Sequence, residues 1–201
     1  MNLLFIGPQG SGKGTQAKII SEELNLCHIS TGDLLRNIEG ELKKEVDICL
    51  NAGNLVPDEL LIKVLEERIK KPDCQNGIIL DGSPRNLNQA EKIDKILKID
   101  KVIEISISDE ESIKRISGRL LCPKCKASFN ELTSPKPKQK EICDFCGTSL
   151  TRRSDDTPQA VAKRLQIYHS ETEPLLKRYD SIKINGEQTI EKVTEDILEN
   201  L

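Results

Sequence analysis

Aromatic side chains are scarce in this chain, with three Phe, two Tyr and no Trp in 201 residues. Stacking platforms for single-stranded nucleic acid need such rings, so that class of partner is disfavoured from the outset. An excess of one charge is also missing. The 33 acidic and 30 basic side chains leave a formal net charge of −3, which argues against an overall fit to nucleic acid or an anionic membrane surface and makes any anion binding local. No apolar run approaches the length of a membrane span. The first run, Leu3–Ile6, is far too short for a secretory leader. Internal repeats and low-complexity tracts are lacking. Cysteine is present in odd number, seven, which fits reduced thiols and a cytoplasmic location better than a disulfide framework.

The most informative stretch that is present follows Leu3-Leu4-Phe5-Ile6, a short apolar run that reads as a buried strand. It is Gly7-Pro8-Gln9-Gly10-Ser11-Gly12-Lys13-Gly14-Thr15, and it leads into a helical pattern. Strand, glycine-rich turn, lysine and helix in that order make a phosphate-binding loop. The glycines let successive N–H groups converge on one anion, the helix contributes its positive end, and Lys13 adds a full charge. As a mere strand-to-helix turn, the segment would leave Lys13 repelled by the helix dipole. Gly14 occupies the place of the usual magnesium-binding hydroxyl, which comes one residue later at Thr15. Direct metal ligation by Thr15 is therefore not expected.

Further apolar runs at Ile78–Leu80, Val102–Ile107 and Ile182–Ile184 alternate with stretches of helical period, the signature of a parallel sheet wrapped by helices. Ser108 and Glu111 form a capping box, Thr157-Pro158 is an N-cap with proline at the first helical position, and Thr189 to Leu201 reads as an amphipathic closing helix. Two stretches interrupt the alternation, Ser30 to Glu59 and Cys122 to Asp156. In open α/β sheets ligands bind beyond the carboxyl ends of the strands, so insertions there would cover the phosphate loop.

Cys122-Pro-Lys-Cys125 and Cys143-Asp-Phe-Cys146 are two C-x-x-C knuckles at zinc-ribbon separation. Two such pairs complete a closed tetrahedral site with no open position, so the expected zinc is structural. Five lysines in this segment (124, 126, 136, 138 and 140) are balanced by Glu131, Glu141, Asp144 and the charge of four thiolates on a dication. A nucleic-acid-binding ribbon is thereby disfavoured. Cys27, Cys49 and Cys74 have no partner spacing and read as ordinary, partly buried residues.

The run Ile78–Leu80 ends in Asp81, placed to stand beside magnesium and its waters, and Gly82-Ser83-Pro84-Arg85 follows at once. Arg36, Arg115, Arg119, Arg152, Arg153 and Arg164 flank or face the insertions, more guanidinium than one triphosphate needs. With Ser30 to Arg36, Leu55 to Glu59, Gln89, Gly118-Arg119 and Arg153 to Asp156, the chain closely resembles the adenylate kinase family, in the long form with a zinc-bearing lid. The resemblance covers essentially the whole chain.

That resemblance implies an α/β fold of the P-loop NTPase type: a parallel five-stranded sheet with helices on both faces, a helical insertion for the nucleoside monophosphate and a small zinc-ribbon-like lid. Residues 1–29, 60–118 and 157–201 would form the core, 30–59 the insertion and 119–156 the lid. It implies reversible, magnesium-dependent transfer of the terminal phosphoryl group of ATP to AMP, giving ADP, by a monomer without nucleic-acid or membrane partners. Gly10, Ser11, Gly12, Lys13, Gly14 and Thr15 would hold the ATP phosphates, with Arg119 and the backbone near Gln188 beside the adenine. Thr31, Arg36, Val56, Gly82, Arg85, Gln89, Arg153 and Arg164 would bind AMP. Lys13, Asp81, Arg85, Arg119, Arg153 and Arg164 would be catalytic, and Cys122, Cys125, Cys143 and Cys146 would hold zinc. Ser83 departs from the aromatic residue usual there, which touches packing beside the AMP pocket but not the charge set. Two rival readings are a kinase for CMP, UMP or GMP, against which Gln89 argues, and a nucleotide-switched binding module, which gives the second arginine set no role.

Overall fold

Four successive apolar residues leave a strand no polar face, and strand β1 (Leu3–Ile6) is accordingly buried on both sides. The computed structural model describes residues 1–40 and 42–201; residue 41, within the expected 30–59 insertion, lies outside the described residues. Along the chain β1 is followed by α1 (Lys13–Leu24), β2 (Cys27–Ser30), α2 (Thr31–Arg36), α3 (Leu42–Asn51) and α4 (Asp58–Ile69). Next come β3 (Ile78–Asp81), α5 (Leu87–Ile96), β4 (Lys101–Ser106), α6 (Asp109–Ser117), β5 (Arg119–Leu121) and β6 (Ser128–Asn130). The chain closes with α7 (Pro158–Ile167), β7 (Ser181–Asn185) and α8 (Ile190–Glu199).

Five strands make one parallel sheet in the order β2-β3-β1-β4-β7, with Leu4 opposite Leu80 on one side and Val102 on the other. Alternate residues of β1 serve separate cores. Leu4 and Ile6 pack with Leu65 of α4 and Ile93 of α5, whereas Leu3 and Phe5 pack with Ala17 and Ile20 of α1 and Val193 and Ile197 of α8. Burying each such Leu, Ile or Phe contributes about 1.5–3 kcal/mol. The sequence signals four of the five strands. The fifth, β2, has only Cys27 and Ile29 buried and sits at the sheet edge, so it lacks the apolar run that marks the others.

Two smaller cores lie away from the sheet. Leu35, Val46, Leu50, Val56 and Leu61 cluster among α2, α3 and α4, and Leu120, Cys122, Phe129, Cys143 and Leu150 cluster around the antiparallel pair β5–β6. Ser30, expected to open an insertion, is instead the last residue of β2, and its side chain caps α2 through the Asp33 N–H. The Thr157 cap of α7 forms as expected, and the closing helix α8 is capped by Thr189, whose side chain accepts from the Lys192 N–H. The capping box at Ser108 is only half made. Ser108 Oγ accepts from the Glu111 N–H, but the Glu111 carboxylate turns to Arg115 and Lys114, and Glu187 takes the Ser108 N–H at 2.7 Å. A guanidinium at i+4 competes better for a carboxylate than one backbone N–H does.

Candidate active site

The carboxyl ends of β1 and β3 deliver the phosphate loop and Asp81 to the same end of the sheet, because the two strands are adjacent and parallel. Gly12 takes the N-cap of α1 with φ +97°, a left-handed conformation that an L side chain would strain. The turn then folds back so that Lys13 Nζ donates to the carbonyls of Gly7 and Pro8, both at 2.7 Å, and to Ser11 Oγ at 3.3 Å. Ser11 is buried, Gly14 exposed and Thr15 half-buried. Beyond the loop, Gly10 offers its carbonyl to Arg115, which also donates to the Gly186 carbonyl at 2.9 Å. The 186–188 turn is thereby held beside the loop, while the Gln188 amide points away to Asp196 and the Asn185 carbonyl.

Asp81 is buried at the end of β3, with His28 Nε2 3.7 Å from its carboxylate. Burial works against its ionisation, and the facing imidazole of His28 with Lys13 and Arg85 outweighs it, holding the carboxyl below its usual range. A Cβ on Gly14 would stand 3.4 Å from Asp81 Oδ2, so the glycine keeps the space beside that carboxylate open. Sequence reasoning missed His28, whose strand has no clear periodic signal.

Thr31 Oγ1 donates to the Asp81 carbonyl and accepts from Ser83 Oγ, each at 3.1 Å. The buried Ser83 thus exchanges the packing of an aromatic ring for a hydrogen bond to Thr31. Arg85 Nε donates to the Gly82 carbonyl, and the Arg85 N–H is accepted by Gln89 Oε1 at 2.8 Å. The other end of the Gln89 amide donates to Asp58 Oδ1 at 2.7 Å, and Val56 is buried nearby in the α2–α4 core.

From the opposite side, the segment before α7 brings further charge. Arg36 and Arg164 share Asp155 Oδ2, at 2.6 and 2.5 Å, and Arg164 also donates to the Leu50 carbonyl. Despite burial, the two guanidinium groups hold the Asp155 carboxyl far below its usual range. Arg119 grips both oxygens of Asp156, at 2.9 and 2.5 Å, and Arg153 lies 3.5 Å from Asp33. The remaining arginines of the sequence pattern serve otherwise. Arg115 ties α6 to the loop, and the exposed Arg152 bonds Glu131 and the Ser117 carbonyl.

Cation crowding is visible in the titration of these groups. Burial first, then Arg85 and Arg119, pull Lys13 down to about 8 in spite of Asp81. Burial with Arg164 and Arg36 lowers Arg85 to about 10, and burial with Arg119 and Arg36 does the same to Arg153. Among the described residues, the buried side-chain polar atoms without a partner are His28 Nε2, Arg36 Nε and Arg153 Nε, all at this site. Buried donors and positive charge left unsatisfied are what a bound polyanion would satisfy.

The four paired cysteines also meet, with all four Sγ atoms within 4.8 Å of one another. Their two knuckles repeat one geometry. Cys122 and Cys143 each accept, at the carbonyl, from the N–H of a residue with positive φ four positions on, Lys126 at 61° and Gly147 at 69°. Their own N–H groups donate to Ala127 and Thr148, both at 2.9 Å. Four sulfurs converging from two turns of the same shape fit a tetrahedral thiolate-bound ion.

Known proteins share this pattern. A family model described as "Adenylate kinase" matches residues 5–184. Proteins named adenylate kinase from Caldicellulosiruptor bescii and Desulforudis audaxviator are 42% and 44% identical, each alignment covering 100% of this chain and 99% of the relative. One from Methanocella arvoryzae is 45% identical over 98% of this chain and 96% of its own length.

Proposed function

This chain belongs to the adenylate kinase family, and from that premise we propose how its residues carry out the family reaction, the reversible transfer of the terminal phosphoryl group of ATP to AMP, giving ADP. The protein is an ATP:AMP phosphotransferase. On our reading 1–29, 60–118 and 157–201 form the core, 30–59 receives AMP and 119–156 is the lid, a division supported by the separate apolar cores of the two insertions.

Phosphoryl transfer asks little covalent chemistry of a protein. The work is to bring two mutually repelling phosphate chains into line, neutralise charge on the moving group and exclude water. Gly10 to Thr15 would receive the ATP phosphates on their N–H groups, with Lys13 swinging from the loop carbonyls to the transferring group. Arg119 and the turn at Gln188 would border the ATP adenine. Arg36 and Arg85 would hold the AMP phosphate, while Thr31, Val56, Gly82 and Gln89 line its nucleoside. Arg153 and Arg164 would close on both chains. The observation that carries this reading is the cluster of buried cations whose charge is held only in part by Asp33, Asp81, Asp155 and Asp156.

Magnesium arriving with ATP supplies neutralisation of the phosphoryl oxygens, and the ionised Asp81, the open space at Gly14 and the unpartnered His28 suit its water shell. Zinc held by Cys122, Cys125, Cys143 and Cys146 would supply folding energy to a lid with little apolar core of its own. We read the protein as a cytoplasmic monomer; the near-balanced charge supports the lack of nucleic-acid or membrane partners, and the odd cysteine count supports the cytoplasm. No helix among the described residues is long and apolar enough to cross a membrane.

Product analysis by phosphorus NMR tests the assignment, with magnesium and ATP plus AMP, CMP, UMP or GMP in separate tubes and one tube without acceptor. ADP forming with AMP alone is the expected result. Transfer to CMP, UMP or GMP would reassign the acceptor, and steady phosphate release without one would favour a nucleotide-switched module.

A further inference from the structure

At the opposite end of the sheet from Lys13 lies a second cluster that the phosphotransfer reaction does not use. Cys27 opens β2, and Cys74 ends a short helical turn, Pro72–Cys74, that leads toward β3. Both are buried, and their sulfurs are 3.1 Å apart although 47 residues separate them in sequence. The Arg68 guanidinium, from the last turn of α4, donates to both, at 2.9 Å to Cys74 Sγ and 3.0 Å to Cys27 Sγ. Asp73 anchors that guanidinium through both its oxygens, at 2.9 and 2.6 Å.

Two readings compete. Cys27, Asp73 and Cys74 place three ligand atoms within 4.8 Å of one another, as a metal site would. Yet the guanidinium contacts all three residues and so puts a permanent positive charge where the cation would sit, and both carboxylate oxygens are spent on it. A redox pair has the opposite requirement. Disulfide formation starts from a thiolate, which a cation beside the sulfur stabilises, and the sulfurs need approach by only about 1 Å to reach bonding distance.

We propose that Cys27 and Cys74 are a reversible thiol–disulfide pair, oxidised by a small peroxide and primed by Arg68. One sulfur, as thiolate, attacks the peroxide O–O bond and becomes a sulfenic acid while hydroxide leaves and is protonated to water. The second thiol attacks that sulfur, forming the S–S bond and releasing a second water as its proton combines with the departing hydroxide. Two thiols and one hydrogen peroxide thus yield one disulfide and two waters. Burial and the neighbouring Cys74 sulfur push the Cys27 thiol up to about 12 while Arg68 pulls it down, so the guanidinium is the group that favours the thiolate at Cys27. The bond would close the chain between 27 and 74, enclosing α2, α3 and α4, and so staple the root of the AMP-side insertion without touching the phosphate loop.

The reduced full-length protein is treated with hydrogen peroxide, alkylated, digested without reductant and mapped by mass spectrometry. A linked peptide pair carrying Cys27 and Cys74, reversed by dithiothreitol, is expected. The treated wild type should melt about 5 °C above an identically treated Cys74→Ser variant, which controls for damage to the lid thiols. Arg68→Gln should slow the linkage roughly tenfold, and Cys49→Ser should leave it unchanged. Recovery of Cys27 and Cys74 as free thiols at a dose that oxidises Cys49 would overturn the proposal. So would unlinked sulfinic acids at both positions, an equal rate in Arg68→Gln, or a second bound metal ion lost on Cys74→Ser.

Discussion

Lys13 illustrates how much a single residue's surroundings decide. Its ammonium is buried against carbonyls, which lowers it to about 8 despite the nearby Asp81. A bound polyphosphate favours the charged form and raises that value, so nucleotide binding takes up a proton once the free protein has begun to lose one. Affinity should be flat below pH 8 and fall by up to tenfold per unit above it. Calorimetry with a non-hydrolysable ATP analogue from pH 7 to 9.5 measures this, and Lys13→Arg should abolish the slope; a flat wild-type profile would mean that Lys13 stays charged throughout. Lys13→Met should lower kcat by about 100- to 1,000-fold, as loss of one preorganised donor to the transferring group does. Gln89 is held by the Arg85 N–H and Asp58 rather than left free. Gln89→Ala should therefore raise KM for AMP and erode its preference over GMP while sparing KM for ATP; unchanged selectivity would remove the reason for assigning the acceptor to Gln89. The residue types of this site were legible in sequence because phosphate chemistry restricts them to Gly, Lys, Arg and Asp. His28 was not, since one imidazole in a short polar strand carries no signal until the sheet, which pairs it with Ile79, brings its ring within 3.7 Å of Asp81 on the neighbouring strand.

Among the elements, the two cysteine knuckles have little apolar support, a cluster of five buried residues of which two are the cysteines themselves. Cys143→Ser, or removal of the metal by chelator, should lower the melting temperature by several degrees and reduce kcat together. Retention of both by metal-free protein would argue that the hairpin folds without an ion. The turn after α3 meets α7 by a different device. Gly53 has φ +71°, and a Cβ there would lie 2.7 Å from the Ala160 carbonyl of α7. Gly53→Ala should hold the insertion off α7 and raise KM for AMP more than KM for ATP, as initial rates at varied AMP would show. The knuckles and the Thr157 cap could be read in advance because each is a local pattern of a few residues. The unmade half of the Ser108 box could not, because Glu111 was claimed by its helical neighbours and Ser108 by Glu187 from a distant turn.

For the molecule as a whole, Asp155 joins regions far apart in sequence by bonding both Arg36 of α2 and Arg164 of α7, while Ser154 reaches Asn51 at 3.2 Å. In effect one carboxylate stands in for part of the charge that a nucleotide would bring. Asp155→Ala should leave the arginines repelling one another, so that labels placed in the insertion and the lid show lower energy transfer without nucleotide. A bisubstrate polyphosphate should restore it by supplying the missing negative charge. Equal transfer in variant and wild type without ligand would show that closure does not depend on this carboxylate.

Composition and local pattern alone determined the α/β class, the phosphate loop, the thiolate site, the list of cations and, through their combination, the family. Those features depend on neighbours within a few positions, or on residue types that one chemistry demands. The tertiary structure alone decided which arginines face the cleft and which, like Arg115 and Arg152, brace its frame, and which acids neutralise them. It also brought Cys27 to Cys74 across the sheet edge. The physical reason is that charge pairing and sulfur contact depend on distances in space, which the parallel crossovers set over separations of tens of residues, where sequence periodicity carries no information.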